Sequence, residues 1–294
     1  MPSPSWTAAD LADQQGRRIV ITGGNSGIGL VTARLLAGAG AQVTIAVRDQ
    51  AKGEQAATEI GGDTEVRALD LADLNSVRAF AAETSEPIDV LINNAGVMAT
   101  PLGRTAQGFE TQFGVNHLGH FALTNLLLPK ITDRVVSVAS GAHRRGHIDL
   151  DDLNWERRSY QRWAAYAQSK LANLLFVLEL ERRLTAAGSP VRALAAHPGY
   201  AATNLQSHSG HPIIDRMMKL GNRIVAQSQD SGALPTVYAV SQDLPGGSYV
   251  GPDGPSGLRG NPTLVGRTAE ASDPKVAAAL WTASEELTGV SFPL

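Results

Sequence analysis

The sequence of 294 residues contains no cysteine. Disulfides, thiolate metal sites and a cysteine nucleophile are excluded, and no oxidising compartment is required. An excess of one charge sign is also missing, since 25 Lys and Arg face 28 Asp and Glu for a formal net charge of −3. Neither a nucleic acid nor an anionic membrane surface is indicated as a partner. Residues 111–129 carry no acidic or basic charge, yet hold seven Thr, Gln, Asn or His side chains, too polar for a membrane span. The first seventeen residues lack both the basic start and the apolar core of a secretory signal. A soluble, cytoplasmic protein acting on small molecules is expected. Lysine is scarce, five against twenty arginines, a codon signature that suggests a bacterial genome rich in G and C.

Two catalytic patterns are missing as well. No GxSxG elbow supports a serine hydrolase. No HExxH accompanies "HLGH" at 117–120 or "HRRGH" at 143–147, so no metal site is expected and these read as packed or surface histidines. His197 in "HPG" reads as a hydrogen-bonded structural histidine.

What is present is an alternation. Short β-branched runs occur at 18–21, 43–47, 65–69, 90–92, 135–138 and 192–196, with amphipathic segments such as "GLVTARLLAGAG" and "SVRAFAAETSE" between them. This predicts βα units around a parallel sheet buried on both faces: an α/β, doubly wound fold of the Rossmann type in a single domain over 1–294. Residues 1–16 read as an N-terminal extension. After residue 204 the pattern loosens, and 204–228 reads as a substrate loop whose Leu205, Ile213, Ile214, Met217, Met218 and Leu220 suggest an apolar wall. "SYVG" at 248–251 reads as a last edge strand.

Directly after the first run comes "TGGNSGIG", residues 22–29, opening an amphipathic helix. In that position Gly23 allows a tight turn, Gly27 lets backbone approach a pyrophosphate, and Gly29 permits close packing of helix on strand, with Asn25, Ser26 and Ile28 completing the cradle. At the end of the second run, Arg48 is placed to meet a ribose 2′-phosphate, while Asp49 suits an N-cap for "QAKGEQAATEI" better than a ribose contact. NADP(H) is expected over NAD(H).

With "NNAG" at 93–96, the serine of "VSVASG" and "YAQSK" at 166–170 in this order, the chain resembles the short-chain dehydrogenase/reductase family along nearly its whole length. The stretches "NNAGVM", "FGVNHLGHFALTNLLLP", "SGAHRRG" and "QSKLANLLF" resemble the branch of retinol dehydrogenase, protochlorophyllide reductase and WW-domain oxidoreductase. The resemblance implies a catalytic set of Ser140, Tyr166 and Lys170, with Asn116 completing a proton relay. It also implies that Asp70 and Leu71 bound the adenine and that Asn93, Ala95 and Gly96 line the cofactor groove. Tyr166 and Lys170 would reach the cofactor too, and Pro198, Gly199 and Thr203 would lie near the nicotinamide. A carbonyl or alcohol would be the substrate, with the hydride chemistry belonging to the cofactor. A catalytically silent dinucleotide sensor or scaffold of this fold is the alternative, and the intact set weighs against it.

The chemistry explains the spacing. A lysine one helical turn after a tyrosine, at about 5 Å and an effective dielectric near 20, contributes roughly 3 kcal/mol towards lowering the phenol pKa from near 10. Ser140 would stabilise charge growing on the substrate oxygen. Asn116 is expected inside a helix. Twenty-five residues separate Ser140 from Tyr166, an extension that predicts a monomer or dimer in place of the family's usual tetramer.

Overall fold

The computed structural model describes residues 6–200 and 228–294. They build one sheet of eight strands in the order β3-β2-β1-β4-β5-β6-β7-β8. The strands are β1 Arg18–Thr22, β2 Gln42–Val47, β3 Thr64–Ala68, β4 Ile88–Asn93, β5 Ile131–Val138, β6 Arg192–Ala196, β7 Tyr249–Pro252 and β8 Pro262–Leu264. All neighbours pair in parallel except β7 with β8.

The runs are apolar at successive positions because both faces are covered. In β1, Ile19 and Ile21 enter one core with α1 Gly27–Gly38, α2 Gln50–Ile60 and α6 Gln229–Ser241, while Val20 enters the other. That second core is closed by α3 Leu74–Glu83, α4 Gly119–Leu127, α5 Arg162–Ala186 and α7 Pro274–Thr288. Asp49 caps α2 by accepting from Lys52 N–H at 3.1 Å, the predicted role. Asp273 caps α7, Pro274 occupies its first turn, and Gly289 closes it in the left-handed conformation at φ 62°.

The strand order reverses between β1 and β4, so the crevice above their carboxyl ends is the place where such a sheet binds ligands. The expectation for "SYVG" needs correcting. β7 is interior, flanked by β6 and the three-residue antiparallel β8, which proline and glycine concealed in the sequence. Among the described residues no helix is long and apolar enough to cross a membrane. Thr203 and the six side chains of the expected apolar wall lie outside the described residues.

Candidate active site

The glycine turn is built by close approach. Gly23 and Gly27 adopt φ 69° and 57°, a region costly for other residues. A Cβ on Gly29 would lie 2.4 Å from both Asn94 Nδ2 and the Gly23 carbonyl, so its bare backbone lets α1 press onto the end of β1. Asn94 Nδ2 fastens the turn from below, donating to the Thr22 carbonyl at 2.8 Å. Above, Ser26 N-caps α1 without a side-chain cap bond. The first helical bond runs from Leu30 N–H to the Ser26 carbonyl, leaving the N–H groups of Gly27, Ile28 and Gly29 without helical acceptors. Asn25 is half-buried at the same turn. The cradle suits a pyrophosphate.

Arg48, just past β2, is exposed and makes no hydrogen bond or ion pair among the described residues, whereas Asp49 is taken up by its cap and by Lys52 Nζ at 2.9 Å. The cation at this strand end is free to meet a ligand. Two of the expected groove residues turn elsewhere. Asn93 is 2% exposed and its amide donates to Thr124 Oγ1 at 2.9 Å, inside the core; Leu71 packs its side chain beside Gly119. Only their backbones remain for a cofactor. Asp70 accepts from Ala72 N–H at 2.9 Å, closing its own turn. Ala95 and Gly96 do line the crevice: a Cβ on Gly23 would lie 3.0 Å from Ala95, and one on Gly96 would lie 3.1 Å from Asn116 Oδ1 and 3.5 Å from Lys170 Nζ.

Asn116 is not in a regular α-helix. Residues Gly114–Leu118 form a π-helical turn ahead of α4, with Gly119 N–H bonded to the Gly114 carbonyl five residues back. The wider turn places the Asn116 amide on two elements at once. Oδ1 accepts from Val97 N–H at 2.8 Å, and Nδ2 donates to the Val97 carbonyl and to Ser169 Oγ, both at 2.9 Å.

Ser140 lies two residues past β5 and caps the short 3₁₀ turn Gly141–Arg145, accepting from Ala142 N–H at 3.2 Å. Its hydroxyl also acts on the Tyr166 phenol, favouring the ionised form. Lys170, one turn on, is 5% exposed, lies 5.8 Å from the Tyr166 ring centre, and donates from Nζ to the Val138 carbonyl at 3.0 Å. It has no carboxylate partner among the described residues. The expected lowering of the phenol pKa is reversed: burial pushes Tyr166 up, partly offset by Ser140, and burial lowers Lys170 to about 8. Desolvation by burial is the largest cause for both groups. The tyrosine therefore holds its proton at neutral pH, poised as an acid.

Trp163, one turn before Tyr166, is 55% exposed and meets its ring edge-on at 6.4 Å between centroids. The extension between Ser140 and the α5 helix is a folded segment. Asp152 accepts from the N–H groups of Glu156, Arg157 and Arg158, Arg158 lies 3.8 Å over the Trp155 ring, and Gln168 Nε2 donates to the Leu153 carbonyl at 2.9 Å. Pro198 and Gly199 follow β6, with Gly199 at φ 68° donating to His197 Nδ1 at 3.2 Å. Other histidines among the described residues are packed or paired: His117 bonds Ser284, His143 bonds the Ser140 carbonyl, and His147 pairs with Glu270. Sequence gives no role to Thr22 or Ser169 and reads His120 only as a packed or surface histidine, since each looks like an ordinary polar residue until its partners are known.

A family model described as short chain dehydrogenase matches residues 17–213. The chain belongs to that family. It is accordingly an NAD(P)-dependent oxidoreductase acting on CH–OH or C=O groups. Human retinol dehydrogenase 13 is 45% identical over 95% of this chain and 86% of its own length. An uncharacterized protein from Mycobacterium paratuberculosis, solved by crystallography, is 57% identical with a TM-score of 0.87, covering 99% of this chain and all of that one. The Pseudomonas aeruginosa RhlG/NADP active-site complex, 23% identical, shares the fold at a TM-score of 0.63 over 81% of this chain and 94% of its own.

Proposed function

We propose that this family member prefers NADP(H) and moves a hydride between the nicotinamide and a lipophilic carbonyl or alcohol, with Tyr166 as the acid/base group. The observation that carries the reading is a buried Lys170 whose ammonium lies 5.8 Å from the Tyr166 ring centre, with Ser140 acting on the same phenol and an open glycine cradle in the same crevice. A bound nicotinamide would supply the hydride. Gly23, Asn25, Ser26, Gly27, Ile28 and Gly29 would hold its pyrophosphate, Arg48 its 2′-phosphate, and the backbone around Asp70 and Leu71 its adenine. The wall of Ala95 and Gly96, with Lys170, would face the nearer ribose, and Pro198 and Gly199 the nicotinamide. In the reducing direction the Tyr166 phenol gives its proton to the carbonyl oxygen while the Ser140 hydroxyl donates a hydrogen bond to the same atom. Lys170 then favours the phenolate by its charge.

The lipophilic reading is supported by the exposed indole of Trp163 beside Tyr166 and by the retinol dehydrogenase relative. The cofactor reading is supported by unpaired Arg48 next to occupied Asp49. Turnover of retinoids, steroids, quinones and small aldehydes with NADPH and NADH tests it. Faster turnover of the larger apolar substrates with NADPH is expected. Tight NADPH binding with no turnover across the panel would instead identify a sensor or scaffold. The extension fastened to α5 at Gln168 supports a monomer or dimer, and a stable tetramer in light scattering at micromolar concentration would overturn that.

A further inference from the structure

His120 lies in the first turn of α4, 3% exposed, and its ring joins two parts of the crevice. Nε2 is 2.8 Å from Thr22 Oγ1, and Nδ1 is 3.1 Å from the backbone carbonyl of Asn116. Both protons can be assigned by elimination. The carbonyl only accepts, so Nδ1 carries a proton. Thr22 Oγ1 accepts the N–H groups of Asn94 at 3.0 Å and Ala95 at 2.9 Å, which occupies its two lone pairs. Its own proton must be donated, and Nε2 at 2.8 Å is a better acceptor than the Ile92 carbonyl at 3.4 Å. His120 is thus held as one neutral tautomer. A second proton, on Nε2, would face a hydroxyl with no acceptor capacity left. Burial keeps the ring neutral, with its pKa lowered to about 4.

The two ends of this bridge lead to different tasks. At one end, Thr22 supports the backbone of Asn94 and Ala95, the wall against which the Gly23 turn closes. At the other end, the Asn116 amide bonds Ser169 Oγ, and Ser169 Oγ donates to the Tyr166 carbonyl at 2.8 Å. A continuous path therefore runs from the dinucleotide wall through one imidazole and the π turn to the helix that carries Tyr166 and Lys170.

We propose that His120 is a positioning residue that couples the cofactor wall to the acid/base helix, its Nε2 side setting the first and its Nδ1 side the second. The proposal rests on the reading of Tyr166 given above. It is also separable from it, because each side of the ring can be removed alone. His120→Asn places an amide donor near the Nδ1 position and has nothing at Nε2. His120→Gln places an amide oxygen near Nε2 and loses the Nδ1 donor.

A crossed pattern is expected. Each lost neutral hydrogen bond corresponds to roughly three- to tenfold. His120→Asn should raise the NADPH dissociation constant by that factor and lower kcat much less. His120→Gln should lower kcat by that factor and raise the dissociation constant much less. Parallel loss of both quantities in both variants, tracking a fall in Tm, would reduce His120 to packing and overturn the proposal, as would no change in either.

Absorbance titration of Tyr166, taken as the difference from Tyr166→Phe, reads the second side without any substrate: the Gln variant should shift it and the Asn variant should not. Turnover by no carbonyl in the wild-type protein would then sink the proposed function while this titration and NADPH binding still decide the coupling. If the buried variants fail to fold, Thr22→Val and Ser169→Ala interrupt the same path from its two ends. The first should act chiefly on NADPH affinity and the second chiefly on kcat; any other distribution counts against the coupling.

Discussion

The two ends of the sheet spend their charged and polar residues in opposite ways. At the amino ends of the strands Asp133 accepts from Arg17, from Arg134 at 2.8 Å and from Arg192 at 3.1 Å. Arg134 goes on to the carbonyls of Ala239 and Gln242, closing the end of α6, and Arg192 pairs with Asp243 at 2.6 Å. Nearly every charge there has a partner within the protein. At the carboxyl ends, Arg48 has none among the described residues, Lys170 has only a carbonyl, and the first N–H groups of α1 are left without helical acceptors. One end is arranged to be finished by itself and the other to be finished by a ligand. Stability and reactivity are thus separated by the length of a strand, and substitutions at the two ends should report on different quantities.

The largest expected effect is at the carboxyl end. Tyr166→Phe should lower kcat by about a hundred- to ten-thousandfold, the usual worth of a positioned acid/base group, while NADPH affinity measured by titration stays within a few-fold. Full activity in that variant would place the proton transfer elsewhere. Next, Arg48→Ala should lose roughly 1.5 to 3 kcal/mol, or about ten- to a hundredfold, of NADPH affinity. NADH kinetics should be nearly unaffected, and a wild-type kcat/KM favouring NADH would refute the assignment. At the amino end, Asp133→Ala should lower stability by about 2 kcal/mol, between the cost of breaking an exposed pair and a fully buried one, because three guanidinium groups lose their shared acceptor. Denaturant unfolding reads the loss. A parallel drop in kcat/KM at a temperature where the variant is folded would show that the ends are not independent.

The response to acid should take the two ends apart in order. His117 and His120 are kept neutral by burial, with pKa values lowered to about 3 and about 4. In the unfolded chain each titrates near 6.5, so unfolding takes up protons that the fold excludes. Their contribution is fully present above about pH 6.5 and is lost as the pH falls towards 4, at about 1.4 kcal/mol per pH unit for each fully coupled group. Asp133 behaves later: burial raises it, but the bonds to Arg134 and Arg192 and the charge of Arg17 win, holding it below the usual range. Its contribution disappears only below about pH 4. Thermal midpoints followed from pH 7 to pH 3 should therefore fall in two stages, and a single transition confined below pH 4 would rule out the histidine stage.

How much of this was legible in the sequence depends on the range of the signal. The six β-branched runs became strands within a few residues of their expected bounds, since a sheet buried on both faces writes itself as contiguous apolar residues. Helix α2 starts and stops at the expected residues because Asp49 and Gly61 mark its ends locally. β8 left no such trace; three residues between prolines and glycines have neither length nor alternation. The family motifs led to Ser140, Tyr166, Lys170 and Asn116, which the fold brings together around Gly96 and α5. The π turn was not legible, as its residues are those of any helix and only the Gly119-to-Gly114 bond sets it apart. For Tyr166 the Coulomb attraction of Lys170 follows from sequence spacing, whereas burial, which pushes the phenol up, depends on what packs around it from elsewhere in the chain. Asn93 and Leu71 teach the same lesson, since a motif places a backbone without saying which way its side chains turn.

The short antiparallel β8 has a consequence for how copies of this chain could meet. It carries Pro262 and pairs across from Pro252, so the outermost strand on that side is three residues long and bounded by a residue that cannot donate to a neighbouring backbone. On the opposite side β3 presents only five residues, among them Glu65 and Arg67, the latter held by Thr84 and the Phe80 carbonyl. Neither margin is a good template for another strand. Continuous sheets shared between subunits, and the edge-to-edge aggregation that begins the same way, are disfavoured at both of these margins, so among the described residues the helical faces are better suited to assembly than the sheet edges.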